Sequence, residues 1–197
     1  EAARGFSTRF DAALDMRMDQ RQTTTAADIL NKYTEQQLHM IFEKYGEVTN
    51  SKTLAKTITM QRMITSLKTV NQFKQAVNQV VKGNPNKYFA QVFQALRIEV
   101  NDEIKALEEM LLQSLAVLKP GGRIAVITFH SLEDRIVKNF FKQGSFDEEP
   151  DDDVYGRKKE SPFLILTKKP IVAGAEELRN NSRSRSAKLR IASKKQL

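Results

Sequence analysis

The sequence lacks cysteine altogether and contains only two histidines, His39 and His130. Without cysteine the chain forms no disulfide, zinc–thiolate site or iron–sulfur cluster, and it offers no cysteine nucleophile. Two histidines are too few for a histidine-rich metal cage, and we assign no metal site. No apolar run approaches the roughly 18 residues that span a bilayer, and no signal peptide opens the chain. We therefore expect a cytoplasmic protein that does not enter a membrane.

Glycine is also scarce, and the glycines do not fall into the motifs that cradle phosphates. Among the eight glycines there is neither a GxGxxG dinucleotide fingerprint nor a GxxxxGK[ST] P-loop. The GxSxG motif of a nucleophile elbow is absent too, so a catalytic triad is not expected. Gly121 and Gly122 follow a lysine and a proline and indicate a tight turn.

The composition is that of a protein with a buried core. The 197 residues are 40% hydrophobic and 28% charged, which suffices for one large domain or two small ones. The chain begins at Glu1 rather than methionine. We expect it to be part of a longer protein.

Positive charge is concentrated towards the C-terminus. The net charge is +8, and segment 168–197 holds nine lysines and arginines against two glutamates. Such a segment is typical of a protein that binds a polyanion, most often nucleic acid, although a solvated tail that only aids solubility is an open alternative. The interleaved serines favour nucleic acid over a membrane surface, which would need a broad hydrophobic face. An acidic run at 147–153 is expected in a loop and is assigned no chemistry.

Capping motifs predict four short helices between residues 25 and 83, after an extended N-terminal segment. Thr25 and Thr34 each begin a capping box. Ser51 is expected to cap a third helix, and the fourth is expected to end at Gly83.

The pattern then changes to that of an α/β fold. Apolar residues over 89–118 recur with a mean spacing of about 3.6, which predicts one continuous helix. A turn separates this helix from a strand at 123–129, whose nearly continuous apolar character predicts burial on both faces. Ser131 begins another helix, and residues 163–167 and 171–172 are further strand candidates. This succession indicates an α/β sheet.

One strong strand candidate and two weaker ones make an incomplete sheet. Two explanations stay open. The remaining strands belong to sequence outside this chain, or a second chain, such as another copy in a homodimer, covers the exposed edge.

A group of polar residues follows the strongest strand, in the order Phe129-His130-Ser131-Leu132-Glu133-Asp134-Arg135. Ligands of open α/β sheets bind beyond the carboxyl ends of strands, where such side chains can position a substrate or move protons. Capping is the favoured explanation for Ser131 and Asp134, with Ser131 as the N-cap. Capping does not require His130, which is therefore the stronger site candidate.

Two acids near the N-terminus, Asp15 and Asp19, flank Arg17. Metal binding is one interpretation of this arrangement. An Asp–Arg ion pair that fastens an extended segment is the favoured one. His39 lies among polar residues of a helix and is expected at the surface.

Several stretches, in order along the chain, resemble the MraW family of bacterial small-subunit rRNA methyltransferases, which act on cytidine N4. Residues 3–7 and 14–19 resemble RGFS…PLDMRMD, and residues 93–103 are similar to FQALRIxVNxE. Residues 120–138 are similar to PGGR…SFHSLEDRIVK, and residues 181–190 resemble NPRARSAKLR. The matches cover essentially the whole chain.

The sequence departs from the family pattern in two ways. Ala13 replaces a proline, Thr128 a serine, and Ser182 and Ser184 a proline and an alanine. More importantly, the family's glycine-rich loop, its ribose-binding acid and its DLGVSS segment, which hold S-adenosylmethionine, are not in this chain. The resemblance implies that the cofactor-binding residues lie upstream of residue 1.

The resemblance implies a partial Rossmann-like methyltransferase sheet of the α/β class with an all-helical inserted domain. Residues 1–24 would be a linking segment from the methyltransferase core. Residues 25–85 would be the helical insertion, which recognises the substrate. Residues 86–197 would be the C-terminal half of the methyltransferase domain, with its basic tail.

The implied reaction is transfer of a methyl group from S-adenosylmethionine to the exocyclic N4 of a cytidine in 16S rRNA of the small ribosomal subunit. The N4 lone pair is delocalised into the ring, so the amine is a poor nucleophile. An enzyme must align it with the methyl donor and help its proton leave. The base must also be exposed from its stack.

The implied site residues fall into three groups by role. The catalytic candidates are His130, Ser131 and Glu133. The rim of the substrate pocket would be formed by Arg4, Asp15, Arg17 and Asp19. The rRNA phosphates would be held, in a salt-sensitive manner, by Arg183, Arg185, Lys188 and Arg190.

Two further functions stay open. One alternative is a non-catalytic RNA-binding module. The other is a structural half that assembles with a separate cofactor-binding chain.

Overall fold

The computed structural model describes residues 4–146 and 160–196 of the chain. They form two compact units, with the boundary between Glu103 and Ile104. The helical unit (residues 4–103) and the sheet unit (residues 104–146 and 160–196) each have their own hydrophobic core. Helices accompany a small antiparallel sheet, which confirms the predicted α/β class. The acidic run at 147–153 lies outside the described residues.

The described part of the helical unit holds five α-helices. Thr25 and Thr34 begin capping boxes as predicted, with Asp28 and Gln37 as the reciprocal residues. Thr69 begins a third capping box that sequence analysis missed. The helices are α1 (Ala26–Lys32), α2 (Glu35–Lys44), α3 (Ser51–Gln61), α4 (Val70–Val77) and α5 (Pro85–Asn101).

The third and fourth helices differ from the prediction at their ends. Asn50, not Ser51, is the N-cap residue of α3, and its side chain makes no capping hydrogen bond. Ser51 is instead the first helical residue and is buried. The helix α4 ends at Val77, and a short 3-10 turn carries the chain onward before Gly83.

The extended N-terminal segment packs in the core of the helical unit. Leu14 and Met16 are fully buried, and the Leu14 N–H donates to the Lys68 carbonyl at 2.9 Å. Ala13 forms an isolated bridge with Thr69. This segment therefore packs as part of the helical unit, because its alternate apolar side chains fill the gap between the helices.

The helical unit extends beyond the predicted boundary at residue 85. The next helix, α5, buries seven side chains in the same core, which include Phe89, Phe93 and Leu96. Its apolar stripe is removed from water against α1 and α2 and against Phe73 of α4, whose ring lies 6.0 Å from that of Phe93. The compact unit consequently ends at Glu103 rather than at residue 85.

The apolar stripe over 89–118 does not form one continuous helix, so that prediction is wrong. The helix α5 ends at Asp102, whose φ of 51° is left-handed, and α6 (Glu103–Val117) begins at the next residue. The Asn101 amide donates to the Arg97 and Met16 carbonyls, at 2.8 Å each. A single left-handed residue ends the helix without changing the spacing of the apolar residues along the sequence. The roughly 3.6-residue period of the apolar residues therefore gave no indication of the break.

The sheet unit contains a four-stranded antiparallel sheet in the order β1-β4-β2, and the short β3 also pairs with β4. The central strand β4 lies within the basic C-terminal segment. This part of the segment is therefore not a solvated tail. Val126 of β1 lies opposite Arg190 of β4. The elements after α6 are β1 (Arg123–Thr128), α7 (Ser131–Gln143), β2 (Phe163–Ile165), β3 (Ile171–Val172), α8 (Ala175–Asn180) and β4 (Lys188–Lys194).

One face of this sheet packs against α7, and the other carries exposed apolar side chains. Val126 and Phe163 share a core with Phe140 and Phe141 of α7. On the opposite face Ile127 is 59% exposed and Leu164 is 56% exposed. The prediction that the strand is covered on both faces is therefore wrong, since alternate residues of β1 point away from α7.

No helix in the described parts of the chain combines the length and the apolar character needed to cross a bilayer.

A buried ion pair joins the first turn of α7 to the middle of β4. Arg190 donates from Nε and Nη2 to Asp134 Oδ1 and Oδ2, at 2.6 and 2.9 Å. Both residues are buried. The hydrogen bonds from Arg190 lower the pKa of Asp134 below its ordinary value, against the opposing effect of burial.

We expect Asp134→Asn to destabilise the sheet unit by about 3 kcal/mol at neutral pH, because it leaves the Arg190 charge buried without a counterion. Chemical denaturation measures this difference. The lowered pKa of Asp134 means that its stabilisation is full above the ordinary carboxyl pKa of about 3.9 and is lost as the pH falls through the folded value. The difference in unfolding free energy between the two proteins should therefore narrow only as the pH falls below the ordinary carboxyl pKa.

Asp19→Asn is the matched control, since Asp19 pairs with Arg21 at the surface. It should leave the unfolding midpoint unchanged. An equal effect of both substitutions would contradict a special role for the buried pair.

Candidate functional site

The polar group after β1 is built around the N-terminus of α7. His130 is the N-cap, and its Nδ1 accepts the Glu133 N–H at 3.4 Å. Glu133 Oε2 in turn accepts the N–H groups of Phe129 at 2.8 Å and of His130 at 3.4 Å. The prediction of Ser131 and Asp134 as the capping pair is wrong, because the helix includes Ser131 and the imidazole supplies the acceptor.

The capping bond determines the protonation pattern of the imidazole. Because Nδ1 accepts a hydrogen bond, the proton of the neutral ring is on Nε2. Nε2 lies 3.2 Å from Glu133 Oε1, yet the two atoms are not aligned as a hydrogen bond. Nε2 is thus a buried polar atom without a hydrogen-bond partner among the described residues. Such an atom can donate to a bound ligand.

Glu133 is held in its ionised form. Burial raises the pKa of Glu133, but the contacts with His130 and the Phe129 N–H outweigh this effect and bring the pKa below its ordinary value. The carboxylate is also close to the positive end of the α7 dipole. Glu133 is therefore an anion at neutral pH and orients His130.

The three predicted catalytic residues are not equivalent in the structure. It brings His130 and Glu133 together, while Ser131 is the first residue of α7 and is exposed. Asp134 faces the sheet and pairs with Arg190. The signal that sequence analysis missed was the spacing of three between His130 and Glu133, which is the spacing of a capping box.

The predicted rim residues in the helical unit form a hydrogen-bonded network. Arg17 donates to both oxygens of Asp15, from Nε at 2.6 Å and Nη2 at 2.9 Å, which confirms the predicted Asp–Arg pair. Arg17 Nη1 also donates to the Gln22 carbonyl, and Arg4 Nη1 donates to the Arg17 carbonyl. The hydrogen bond from Arg17 lowers the pKa of Asp15. Asp19 is not part of this network and pairs with Arg21.

An open cavity of about 420 Å³ lies beside the network, between the segment 21–24 and the end of α5. Tyr33 and Glu99 line it, and the Tyr33 hydroxyl donates to Glu99 Oε1 at 2.7 Å. Burial and the bond to Glu99 raise the pKa of Tyr33 to about 12. Sequence analysis missed this pair because 66 residues separate its members.

The four predicted phosphate-binding residues occupy different environments. Arg183 and Arg185 are exposed in a 3-10 turn before β4. The Lys188 side chain is 38% exposed, and its ammonium group lies 3.6 Å from Asp134 Oδ2. Arg190 is buried within the sheet unit, where its bonds to Asp134 give it a structural position.

A model of the MraW methylase family matches residues 1–195 of the chain. The chain belongs to the MraW methylase family. The match includes the capping group at His130 and the network at Asp15, and it confirms the resemblance drawn from the sequence.

Curated relatives named ribosomal RNA small subunit methyltransferase H are similar over nearly the whole of this chain. The relative from Azobacteroides pseudotrichonymphae is 55% identical over 97% of the chain, and that from Parabacteroides distasonis is 51% identical over 97%. The relative from Cytophaga hutchinsonii is 50% identical over 96% of the chain. The chain spans 63% of the length of each of these relatives.

We expect His130→Ala to destabilise the sheet unit of this MraW-family chain by about 1 kcal/mol, because it removes the acceptor that caps α7. His130→Asn should retain most of the stability, since asparagine is a good N-cap. Chemical denaturation of both variants tests this role. Ser131→Ala is the control and should behave as the wild type. A larger loss for Ser131→Ala than for His130→Ala would reassign the cap.

The Tyr33–Glu99 bond can be tested by ultraviolet titration of the tyrosines. Tyr33 should ionise with a pKa of about 12. Burial also raises the pKa of Tyr88, so Tyr33→Phe should remove one of the late-titrating tyrosines among the four of the chain. Glu99→Gln should move the pKa of Tyr33 towards the ordinary value of about 10, because the neighbouring negative charge is lost. If the component with a pKa of about 12 survives Tyr33→Phe, it belongs to another tyrosine.

Proposed function

We propose that this protein acts in S-adenosylmethionine-dependent methylation of N4 of a cytidine in 16S rRNA of the small ribosomal subunit. The family match over residues 1–195 carries the proposal. Relatives that are 50–55% identical and named as small-subunit rRNA methyltransferases support it. The N4 specificity rests on the motif resemblance.

The residues of this chain do not fit a complete S-adenosylmethionine site. The turn between β1 and α7 consists of Phe129 and His130, so it does not supply the glycine-rich loop that the resemblance assigns to S-adenosylmethionine. The sequence also has no GxGxxG motif. We propose that residues beyond this chain supply most of the cofactor site. The residues of this chain are assigned roles towards the RNA substrate only.

His130 acts in this proposal as a hydrogen-bond donor towards the target base. Its Nδ1 is committed to the helix cap, and its buried Nε2 has no aligned hydrogen-bond acceptor among the described residues, although Glu133 Oε1 lies 3.2 Å away. The ring therefore suits donation to an acceptor atom of a pyrimidine better than removal of a proton from the amine. Glu133 is the positioning residue. Ser131 is an exposed residue beside the site.

The helical unit recognises the RNA substrate in this proposal. Arg4, Asp15 and Arg17 hold the segment that borders the cavity, and Asp19 orders the adjoining turn through Arg21. The cavity of about 420 Å³ has a polar wall and space for a nucleoside. Within residues 25–85 only Tyr33 lines this cavity, so the recognition would come from the helical unit as a whole and not from the predicted insertion alone.

The exposed cations of the sheet unit bind rRNA phosphates in this proposal. Arg183 and Arg185 are exposed enough to reach a phosphate, and Lys188 is partly so. Arg190 is not assigned this role because it is buried and ion-paired. Binding should weaken steeply with salt, since each phosphate contact releases counterions.

A non-catalytic RNA-binding module is the second candidate function. The glycine-free turn after β1 favours it, because the chain has cations for RNA without a complete cofactor cradle. The two functions differ in whether methyl transfer occurs.

The test is a methyl-transfer assay with the longest form of the protein that its gene encodes. Small ribosomal subunits that lack the modification and S-adenosylmethionine with a labelled methyl group are the substrates. We expect label in 16S rRNA, recovered as N4-methylcytidine when the nucleosides are separated by mass spectrometry. His130→Asn, which keeps the cap, should lower kcat about 10- to 100-fold through loss of the Nε2 donor.

Each outcome discriminates between the candidates. Label recovered as another methylated nucleoside would contradict the N4 assignment. Binding of rRNA without any label would establish the RNA-binding module instead. Activity of His130→Asn at the wild-type rate would remove the donor role of His130.

A further inference from the structure

A second cavity in the sheet unit lies along α7, away from the His130 cap. Its volume is about 140 Å³, and it opens between α7 and the strands β2 and β4. Phe141 and Ile165 contribute its apolar lining, and the buried Arg190 closes one side.

Three lysines surround this apolar cavity. Lys138 and Lys142 stand one turn apart on α7, and Lys168 follows β2. All three are exposed. None of them has an acidic partner or a hydrogen-bond acceptor for its ammonium group among the described residues. The nearby Arg190 is already neutralised by Asp134, so within the described part of the chain the three lysines leave a net positive charge around the opening.

The cavity lies further along α7 than the candidate catalytic site. Asp134, Lys138 and Lys142 occupy successive turns of one face of α7, so Lys138 lies about 6 Å and Lys142 about 12 Å further along the helix axis. Asp134 in turn follows Glu133, the partner of His130. A nucleotide on these lysines would therefore lie one to two helical turns from the group bound at His130.

We infer that this cavity binds a nucleotide of the substrate RNA that flanks the target cytidine. This inference rests on the proposed function and names a subsite for its substrate. An unstacked base has an apolar face that suits the partly exposed Ile165, while the buried Phe141 forms the floor of the cavity. The phosphates of the nucleotide carry the negative charge that the three lysines attract. Charge complementarity thus selects RNA over an apolar peptide or a second copy of this basic chain.

The apolar lining distinguishes a nucleotide subsite from a general anion site. A lysine cluster without it would bind any polyanion according to charge alone. Base stacking adds affinity that depends on the presence of a base rather than on charge. Single-stranded RNA should therefore bind better than inorganic polyphosphate of equal charge.

The first test measures binding of a short fluorescent single-stranded RNA to the chain by anisotropy over a range of salt concentrations. Lys138→Gln with Lys142→Gln should lower the affinity about tenfold, and the slope of log K against log salt should fall by about 1.4 for two lost phosphate contacts. The matched control is Lys105→Gln with Lys119→Gln, two exposed lysines of the same unit that do not line the cavity. It should have a much smaller effect. Equal losses in both double variants would overturn the subsite.

The second test locates the RNA directly. RNA with 4-thiouridine, irradiated in complex with the chain, should crosslink to α7 around Phe141 or to the residues after β2, as mapped by peptide mass spectrometry. Polyphosphate should compete less well than unlabelled RNA of equal charge. Crosslinks confined to other elements, or equal competition by polyphosphate, would refute the nucleotide subsite.

Failure of this inference is distinguishable from failure of the proposed function. Methylation of rRNA with crosslinks that map elsewhere would remove the subsite and leave the methyltransferase. Crosslinks at the cavity without methyl transfer would support the subsite within a non-catalytic RNA-binding module.

Discussion

The ion pair between Asp134 and Arg190 ties together the elements from which the sheet unit is built. It joins the first turn of α7 to the central strand β4, and β4 is the strand with which each of the other strands pairs. Glu133, the preceding residue, points back to the cap at His130. The first turn of α7 therefore carries two carboxylates with separate roles. Asp134 pairs with the sheet, and Glu133 orients the imidazole of His130. A buried charge pair tolerates little displacement, since either ion alone in the interior is costly.

The helical unit uses hydrogen bonds from polar side chains to hold an extended segment in place. Asp15 and Arg17 pair within the segment, and Asn101 at the end of α5 donates to the Met16 carbonyl and accepts the Met18 N–H. These bonds satisfy backbone groups that regular secondary structure would otherwise pair. The result is a rigid border for the cavity that Tyr33 and Glu99 line. In the proposed function, such a border would favour recognition of one nucleoside geometry.

Basic side chains of the sheet unit divide into structural and exposed groups. Arg190 is buried in an ion pair, whereas Lys138, Lys142 and Lys168 are exposed around an apolar cavity. In sequence these residues are indistinguishable, because charge alone does not reveal whether a strand carries it into the core. The exposed lysines around this cavity, not the total charge, define the surface on which RNA binding is proposed.

The order of the amino acids alone was enough to predict the family, the α/β class, the capping boxes at Thr25 and Thr34, and the pairing of Asp15 with Arg17. These features depend on motifs or on residues close together in the chain, where local physics decides the outcome. The break at Asp102 and the place of β4 in the sheet emerged only from the folded chain, as did the contacts of Tyr33 with Glu99 and of Asp134 with Arg190. Each of these depends on packing or on partners distant in sequence. Periodicity and composition do not indicate which distant side chains come into contact, because burial and pairing arise only when the whole chain has folded.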